Sequence, residues 1–479
     1  MTVLDARPVD TPPATEPAAK PAAEPAPYKW RWPALGVILA GSVMELLDAT
    51  VTNIAGPTIR ADLGGGPALL QWLGAAYVLA MTAGLLTGGR LGDIVGRKRM
   101  FLIGMAGFTV GSLLCAVAVS PETVIAARVL QGLFGAAMIP QGMGLMKEMF
   151  PPKELQAAFG MFGPVMGLAA VGGPILAGWL VQADLLGTGW RMIFLINLPV
   201  GLLAALAAAR FLPATRPAGG VKLDLPGTLL ASLGTVLIVF PLVQGREHGW
   251  PAWSFAMMAA SLVTFALFVV YEKHRKAHHL VAPSLLRKPA FLSGLAVGAI
   301  YFAAFGGVFM VIGLYTQLGL GFSPLKAALT SVPSSLGMIL GMGAAQGLAR
   351  HGRRVLLAGA VVMGLATTAL LVVAEPGVSP WQLAPALAFL GVGSGLVMGP
   401  YFGIVMAAVD PAETGSASGT LTAIQQVGNA LGLAVLGTVF FGSGSAEITF
   451  GVAAGMTALV LVVGLLLPKQ ARQDAGFAH

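Results

Sequence analysis

The stretch GSVMELLDATVTNIAGPTI (residues 41–59) sets two carboxylates, Glu45 and Asp48, inside a run otherwise suited to hydrocarbon. An Asp at the centre of a membrane helix costs about 2.5–3.5 kcal/mol on insertion scales, so a charge kept there marks a functional site facing protein or water by default. Glu45, Asp48 and Thr52 fall at i, i+3 and i+7 on one helical face. That shared face favours function over the competing reading, a buried ion pair with a basic residue on a neighbouring helix.

Working outward, the whole chain has the same character. Hydrophobic residues make up 56% of it and charged residues 10%, where a soluble domain carries about 25% charged residues. The mean hydropathy is +0.82. Apolar runs of about 20 residues recur to the end of the chain, which excludes a single signal peptide as their source and predicts an all-α, polytopic membrane protein. The 65 glycines and 21 methionines fit closely approaching helices with irregular gaps between them. Cys115 is the only cysteine, so neither a disulfide framework nor a thiolate metal site is available.

About fourteen spans follow from the pattern, roughly 33–55, 69–89, 100–119, 122–146, 157–181, 193–212, 225–244, 252–272, 290–316, 325–349, 354–374, 382–407, 414–440 and 447–467. Residues 1–32, rich in Pro, Ala and Glu near the start, read as a disordered cytoplasmic tail, and 468–479 as a cytoplasmic C-terminal tail. With both termini inside, the exterior keeps only Arg60, Arg191, Arg246 and Lys326 of the 28 Lys and Arg, and Arg128 lies within a span. The positive-inside rule therefore fixes the orientation in a cell membrane. The net charge of +8 is a topology signal, and no basic stripe with interleaved aromatics suggests nucleic acid.

GGRLGDIVGRKRMFLIG (88–104) and QGLARHGRRVLLAG (346–359) repeat the order glycine, basic cluster, apolar helix at the exits of the second and tenth spans. Two six-helix bundles, 33–212 and 290–467, then flank a segment, 213–289, that holds two extra spans. In transporters built this way the substrate binds near the midplane between the halves.

The segment GGRLGDIVGRKR (88–99) resembles the loop signature between the second and third helices of the major facilitator superfamily. LDATVTNIAGP (47–57), RVLQGLFGAAMIPQG (128–142), GPVMGLAAVGGPILAG (163–178), GWRMIFLINLPVG (189–201) and GSASGTLTAIQQVGNALG (415–432) resemble segments of its fourteen-spanner drug:H+ antiporter family. Gly56 departs from the bulky apolar residue usual there, and Ala177 stands where the fifth-helix pattern has a second glycine. The resemblance implies a major facilitator-type fold and proton-driven export. It assigns proton coupling to Asp48, Glu45 and Arg128, a conformational switch to Gly89, Asp93, Gly96 and Arg97, and an antiporter motif to Gly163, Pro164, Gly167, Gly173, Pro174 and Gly178.

The residues themselves support parts of this. Asp93 can pair with Arg97 or cap a helix end, whereas a plain positive-inside anchor accounts for Arg97, Lys98 and Arg99 but leaves Asp93 unexplained. Gly160, Gly163, Gly167, Gly172 and Gly173 read as one small-residue face, with Pro164 and Pro174 bending the fifth span. The second half lacks acids deep in its spans, so substrate contacts there fall to neutral groups: Tyr301, Phe305, Gln317, Gln425, Gln426 and Asn429. His274, His278 and His279 read as a solvated basic surface. No phosphate-binding loop, zinc spacing or hydrolase elbow occurs, so no cofactor, metal, nucleotide or enzymatic centre is expected. The expected partners are a small-molecule substrate, protons and the lipid bilayer. The reading is an exporter of amphipathic or cationic small molecules by alternating access, ahead of an exporter of an endogenous lipid, peptide or metabolite. A non-transporting sensor is the remote third, since no soluble output domain is legible.

Overall fold

The computed structural model describes residues 28–151, 154, 158, 161–215, 224–245, 248–275, 284–348, 351–375, 377–407, 409 and 414–468. Among them are 14 helices long and apolar enough to cross a membrane. These are α1 (Arg31–Leu63), α2 (Ala68–Val95), α3 (Arg97–Ala116), α4 (Pro121–Met149), α5 (Phe162–Ala183), α6 (Gly189–Phe211, with Asn197–Phe211 as its regular part), α7 (Leu225–Gln244) and α8 (Ala252–His274). They continue with α9 (Pro289–Leu314, ending in a π turn at Tyr315–Gly319), α10 (Pro324–Gly347, interrupted at Ser331), α11 (Arg353–Val373), α12 (Pro380–Met406), α13 (Thr414–Ser443) and α14 (Ala446–Gly464). Two six-helix bundles, α1–α6 and α9–α14, are joined through the α7–α8 hairpin. The helices outrun the apolar segments: α1 runs on to Leu63, and its first turn takes in Arg31, which the sequence reading left in the tail. Arg31 pairs there with Glu154, Nε to Oε2 at 2.6 Å. Most of both expected tails lies outside the described residues.

Glycine decides how the helices dock. Between α10 and α12 the backbones interlock: a Cβ on Gly337 would stand 2.1 Å from the Ala388 carbonyl oxygen, one on Gly391 1.9 Å from that of Ser334, and one on Gly395 2.3 Å from that of Met338. The equivalent pair in the first bundle, α2 and α4, meets the same way, with Gly88 against the Ala136 carbonyl at 2.3 Å and Gly132 against that of Tyr77 at 2.4 Å. Packing is the main attraction between helices already in lipid, so removing the side chain is what permits contact this close.

The bundles touch each other at α2 with α13 and at α5 with α10. At one end of the molecule Gly74 lies against Leu433, Gln71 against Gly437, and Gly178 against the Pro324–Leu325 backbone, while Ser323 Oγ donates to Gln182 Oε1 at 3.1 Å. This is the end opposite the basic 88–99 segment. Helix α7 lies along the α2–α13 seam, hydrogen-bonded to the first bundle through Thr87 and Thr228 (3.3 Å) and to the second through Thr438 Oγ1 and the Leu242 carbonyl (2.6 Å).

Candidate functional site

Asp48 and Arg128 meet in the interior of the first bundle, each side chain fully shielded from solvent. The start of α4 fixes the arginine: Ser120 Oγ accepts from the Thr123 amide at 3.3 Å, a capping box closes, and Pro121 occupies the first turn. Arg128 follows two turns inside. Its Nη1 donates to Asp48 Oδ2 and, at 2.7 Å, to Gln131 Oε1, while Nε donates to the Leu73 carbonyl at 3.0 Å. The guanidinium carbon is 4.2 Å from the centroid of the Tyr77 ring. Asp48 Oδ1 accepts from Gln131 Nε2 at 2.7 Å and Asn197 Nδ2 at 3.1 Å, and both of those nitrogens also donate to Ser112 Oγ, at 2.7 and 3.0 Å. Asp62, at the far end of α1, accepts from Trp190 Nε1 at 3.0 Å and Arg191 Nη1 at 2.6 Å, which anchors the start of α6 and so sets Asn197.

Removing two charges from water costs several kcal/mol per ion, and their attraction offsets this only where further hydrogen bonds saturate the group. Both carboxylate oxygens of Asp48 are bonded, whereas Arg128 Nη2 is buried without an acceptor among the described residues. Glu45, one turn before Asp48, is half-buried and accepts from Tyr77 Oη at 3.0 Å. Tyr77 thus touches both Glu45, through its hydroxyl, and Arg128, through its ring face. Thr52 is buried, outside this network, and its Oγ1 has no partner among the described residues.

The 88–99 segment forms a second charged centre. Gly96 adopts φ 100°, ending α2 and starting α3, a conformation that glycine tolerates and other residues rarely adopt. Across the break Arg97 Nη2 pairs with Asp93 at 3.0 Å and Arg97 Nε with Glu148 of α4 at 3.2 Å. The guanidinium covers Gly144, where a Cβ would lie 1.2 Å from Nη1. Lys98 Nζ donates to the Ala209 and Leu212 carbonyls at 2.7 Å each. These contacts tie α2, α3, α4 and α6 together within one bundle. Gly89 has no comparable constraint, since its Cβ would meet Pro140 at an ordinary 3.7 Å.

The glycines of α5 do not share one face. Gly173 lies against Leu47 of α1 and Gly178 against α10, Gly167 approaches Ile339 of α10, and Gly172 faces open space. A helix that packs on two partners in different bundles must divide its small residues between two sides. Pro174 is within the helix, as are Gly163 and Pro164, and Gly160 lies outside the described residues. In the second bundle, Gln426 Nε2 reaches Met81 Sδ of α2 at 3.2 Å and Asn429 Nδ2 reaches Gln426 Oε1 at 3.4 Å, with Asn429 Oδ1 buried and without a partner among the described residues. Gln425 is half-buried beside them. Phe305 packs between the tilted rings of Tyr301 and Phe309. Tyr301 is buried with its hydroxyl donated to the Ser394 carbonyl at 2.9 Å, and Gln317 donates to the Gly313 carbonyl at 3.3 Å, so neither joins the Gln426–Asn429 group.

Residues 38–433 and 353–478 match the Major Facilitator Superfamily. The chain belongs to that superfamily. The transporter is 49% identical to the probable actinorhodin transporter of Streptomyces coelicolor over 87% of its own length and 73% of the relative's. It is 38% identical to the puromycin resistance protein of Streptomyces alboniger, with 87% and 83% covered, and 33% identical to the tetracenomycin C resistance and export protein of Streptomyces glaucescens, with 85% and 76% covered. Among solved structures it resembles a peptide transporter POT mutant in complex with sulfate, with a TM-score of 0.66 at 15% identity over 92% of this chain and 96% of that one. It also resembles the human organic anion transporter TETRAN, with a TM-score of 0.61 at 16% identity over 91% and 99%.

Four members of the buried centre escaped the sequence reading: Tyr77, Ser112, Gln131 and Asn197. Gln131 is three residues after Arg128 and Asn197 stands alone in an apolar span, and both sit within quoted motifs, so the signal was a polar side chain at a depth where one is costly. The second centre allows a direct test. Because Glu148 still holds Arg97, Asp93→Asn is expected to leave the melting temperature within a few degrees of wild type while slowing turnover severalfold, read by initial efflux rates in proteoliposomes. An unchanged rate in well-inserted protein would reduce Asp93 to a helix-end contact.

Proposed function

We propose that this transporter is a proton-coupled exporter of amphipathic or cationic small molecules, working by alternating access. The observation that carries the reading is the Asp48–Arg128 pair, buried among α1, α2, α3, α4 and α6 and linked through Tyr77 to the more accessible Glu45. A proton arriving at Glu45 weakens its bond to Tyr77, and a proton on Asp48 removes the counter-charge of Arg128, whose buried guanidinium must then find another acceptor. The polar contacts holding α1 to α3, α4 and α6 thereby depend on protonation, which supplies a two-state element for the rocking of the bundles. Bound cation and bound proton compete for the same carboxylate charge, and that competition couples the two fluxes.

The excess of Lys and Arg at the 88–99 end supports placing that end and both termini in the cytoplasm. The bundle contacts then close the exterior side, the arrangement that loads substrate from within. The names of the relatives, a probable actinorhodin transporter and resistance proteins for puromycin and tetracenomycin C, favour antibiotics as cargo.

The energy source is tested in proteoliposomes. Efflux driven by an imposed pH gradient should collapse to background with a protonophore and remain unchanged on adding ATP. Transport sustained by ATP without any ion gradient would refute proton coupling.

A further inference from the structure

A cavity of about 460 Å³ lies between α1, α5 and α6, distinct from the interface between the bundles. It exists because α5 meets α6 mainly at its beginning, Gly189–Leu195, while the Asn197–Phe211 segment packs chiefly on α1 and α3. The two helices diverge below that contact, and α1 forms the floor from Gly36 to Val51, roughly 20 Å at the helical rise per residue. Val43, Leu47, Leu176 and Ile196 make the walls apolar. Polar character is confined to the deep end, where Asp48 and Asn197 line it. Both amide hydrogens of Asn197 are used on Asp48 and Ser112, Asn197 is 4% exposed, and its Oδ1 accepts no hydrogen bond among the described residues.

The mouth faces hydrocarbon. Val200 at its rim is 40% exposed, and Leu203 and Leu168 on the flanking helices are 67% and 74% exposed. Gly36 on the floor is exposed, with nothing within 4 Å of a Cβ built on it. A molecule entering here comes from the bilayer and not from water. A narrow apolar cleft that ends on an unused carbonyl acceptor beside a carboxylate selects an apolar body carrying an N–H donor and positive charge.

We propose that the α5–α6 cleft is a lateral binding site for membrane-dissolved amphipathic amines, through which they reach Asp48 from the cytoplasmic leaflet. The choice of occupant rests on the exporter reading, whereas the cleft itself does not. An N–H donated to Asn197 Oδ1 places the cationic head against the side of the network that faces away from Arg128, so occupancy and the proton on Asp48 act on one charge.

The probe is ethidium monoazide, a planar cation with amine donors, photolysed with the protein in nanodiscs and mapped by peptide mass spectrometry. Label is expected on peptides covering 36–51, 165–180 and 193–200. Gly36→Phe, which adds a ring to the floor at a position where a Cβ meets no atom within 4 Å, should lower that label at least fivefold. Gly455→Phe, at an exposed position of α14 with equally open space, should leave it unchanged. Label confined to the α9–α13 region, label indifferent to Gly36→Phe, or a co-purifying phospholipid that excludes the probe would each overturn the proposal. Ethidium efflux driven by a pH gradient is read on the same preparations. Efflux without cleft labelling removes the cleft and keeps the exporter, while cleft labelling with no gradient-driven efflux does the reverse.

Discussion

Asp48→Asn should abolish gradient-driven efflux and, unlike most surface changes, also lower stability by about 3–5 kcal/mol, because it leaves a buried arginine without its counter-charge. The substituted amide keeps a carbonyl oxygen to accept hydrogen bonds from Gln131 and Asn197 in this pocket, so packing survives and the loss is electrostatic. Arg128→Gln alone should destabilise comparably by leaving the carboxylate unpaired. The double variant Asp48→Asn, Arg128→Gln is the decisive one: it should recover most of the melting temperature while efflux stays at background. Thermal unfolding in detergent and efflux in proteoliposomes measure the two quantities separately. Efflux returning together with stability in the double variant would make the pair structural and move coupling elsewhere. Glu45→Gln should give a milder, substrate-dependent loss with little change in stability, since Tyr77 keeps an acceptor in the glutamine carbonyl.

The second large effect falls on packing. Gly391→Leu inserts a side chain where even a Cβ would be 1.9 Å from a main-chain oxygen, and no rotamer change relieves a clash with backbone. Helices α10 and α12 must separate, forfeiting the contacts that make this pair one of the most intimate in the molecule. A penalty of about 3 kcal/mol, the upper end of usual overpacking costs, is expected, with most of the protein aggregated on fluorescence-detected size exclusion. Gly343→Leu on the same α10 has nothing within 4 Å and should elute as wild type. Similar profiles for both variants would mean that backbone proximity does not set the stability of this bundle.

Depth and charge together made the main site legible. Asp48 stands out because a charge in hydrocarbon is costly, an argument that needs only hydropathy and position, whereas Arg128, close to the outer end of its span, takes its role from the family resemblance. The same argument applied to uncharged polar groups would have found Gln131 and Asn197, but an amide costs less than a charge, so its signal is weaker. Tyr77 and Ser112 gave no signal, since Tyr and Ser are unremarkable in a membrane helix until a partner is known. Glycine spacing misled in α5, because periodicity describes a helix facing one neighbour and this helix has two.

Fourteen spans, the two-bundle order and the family were therefore determined by the sequence alone, since each rests on local hydropathy or on motifs read in order. Contacts between distant segments were left to the tertiary structure. These are the partnership of Asp48 with Arg128, 80 residues apart, and with Asn197, 149 residues apart; the seat of α7 on one seam; and the divergence of α5 from α6 that opens a cleft. The physical reason is common to all three: the cost of placing a group in the membrane belongs to its own residue, but relief of that cost belongs to whichever helix folding brings alongside.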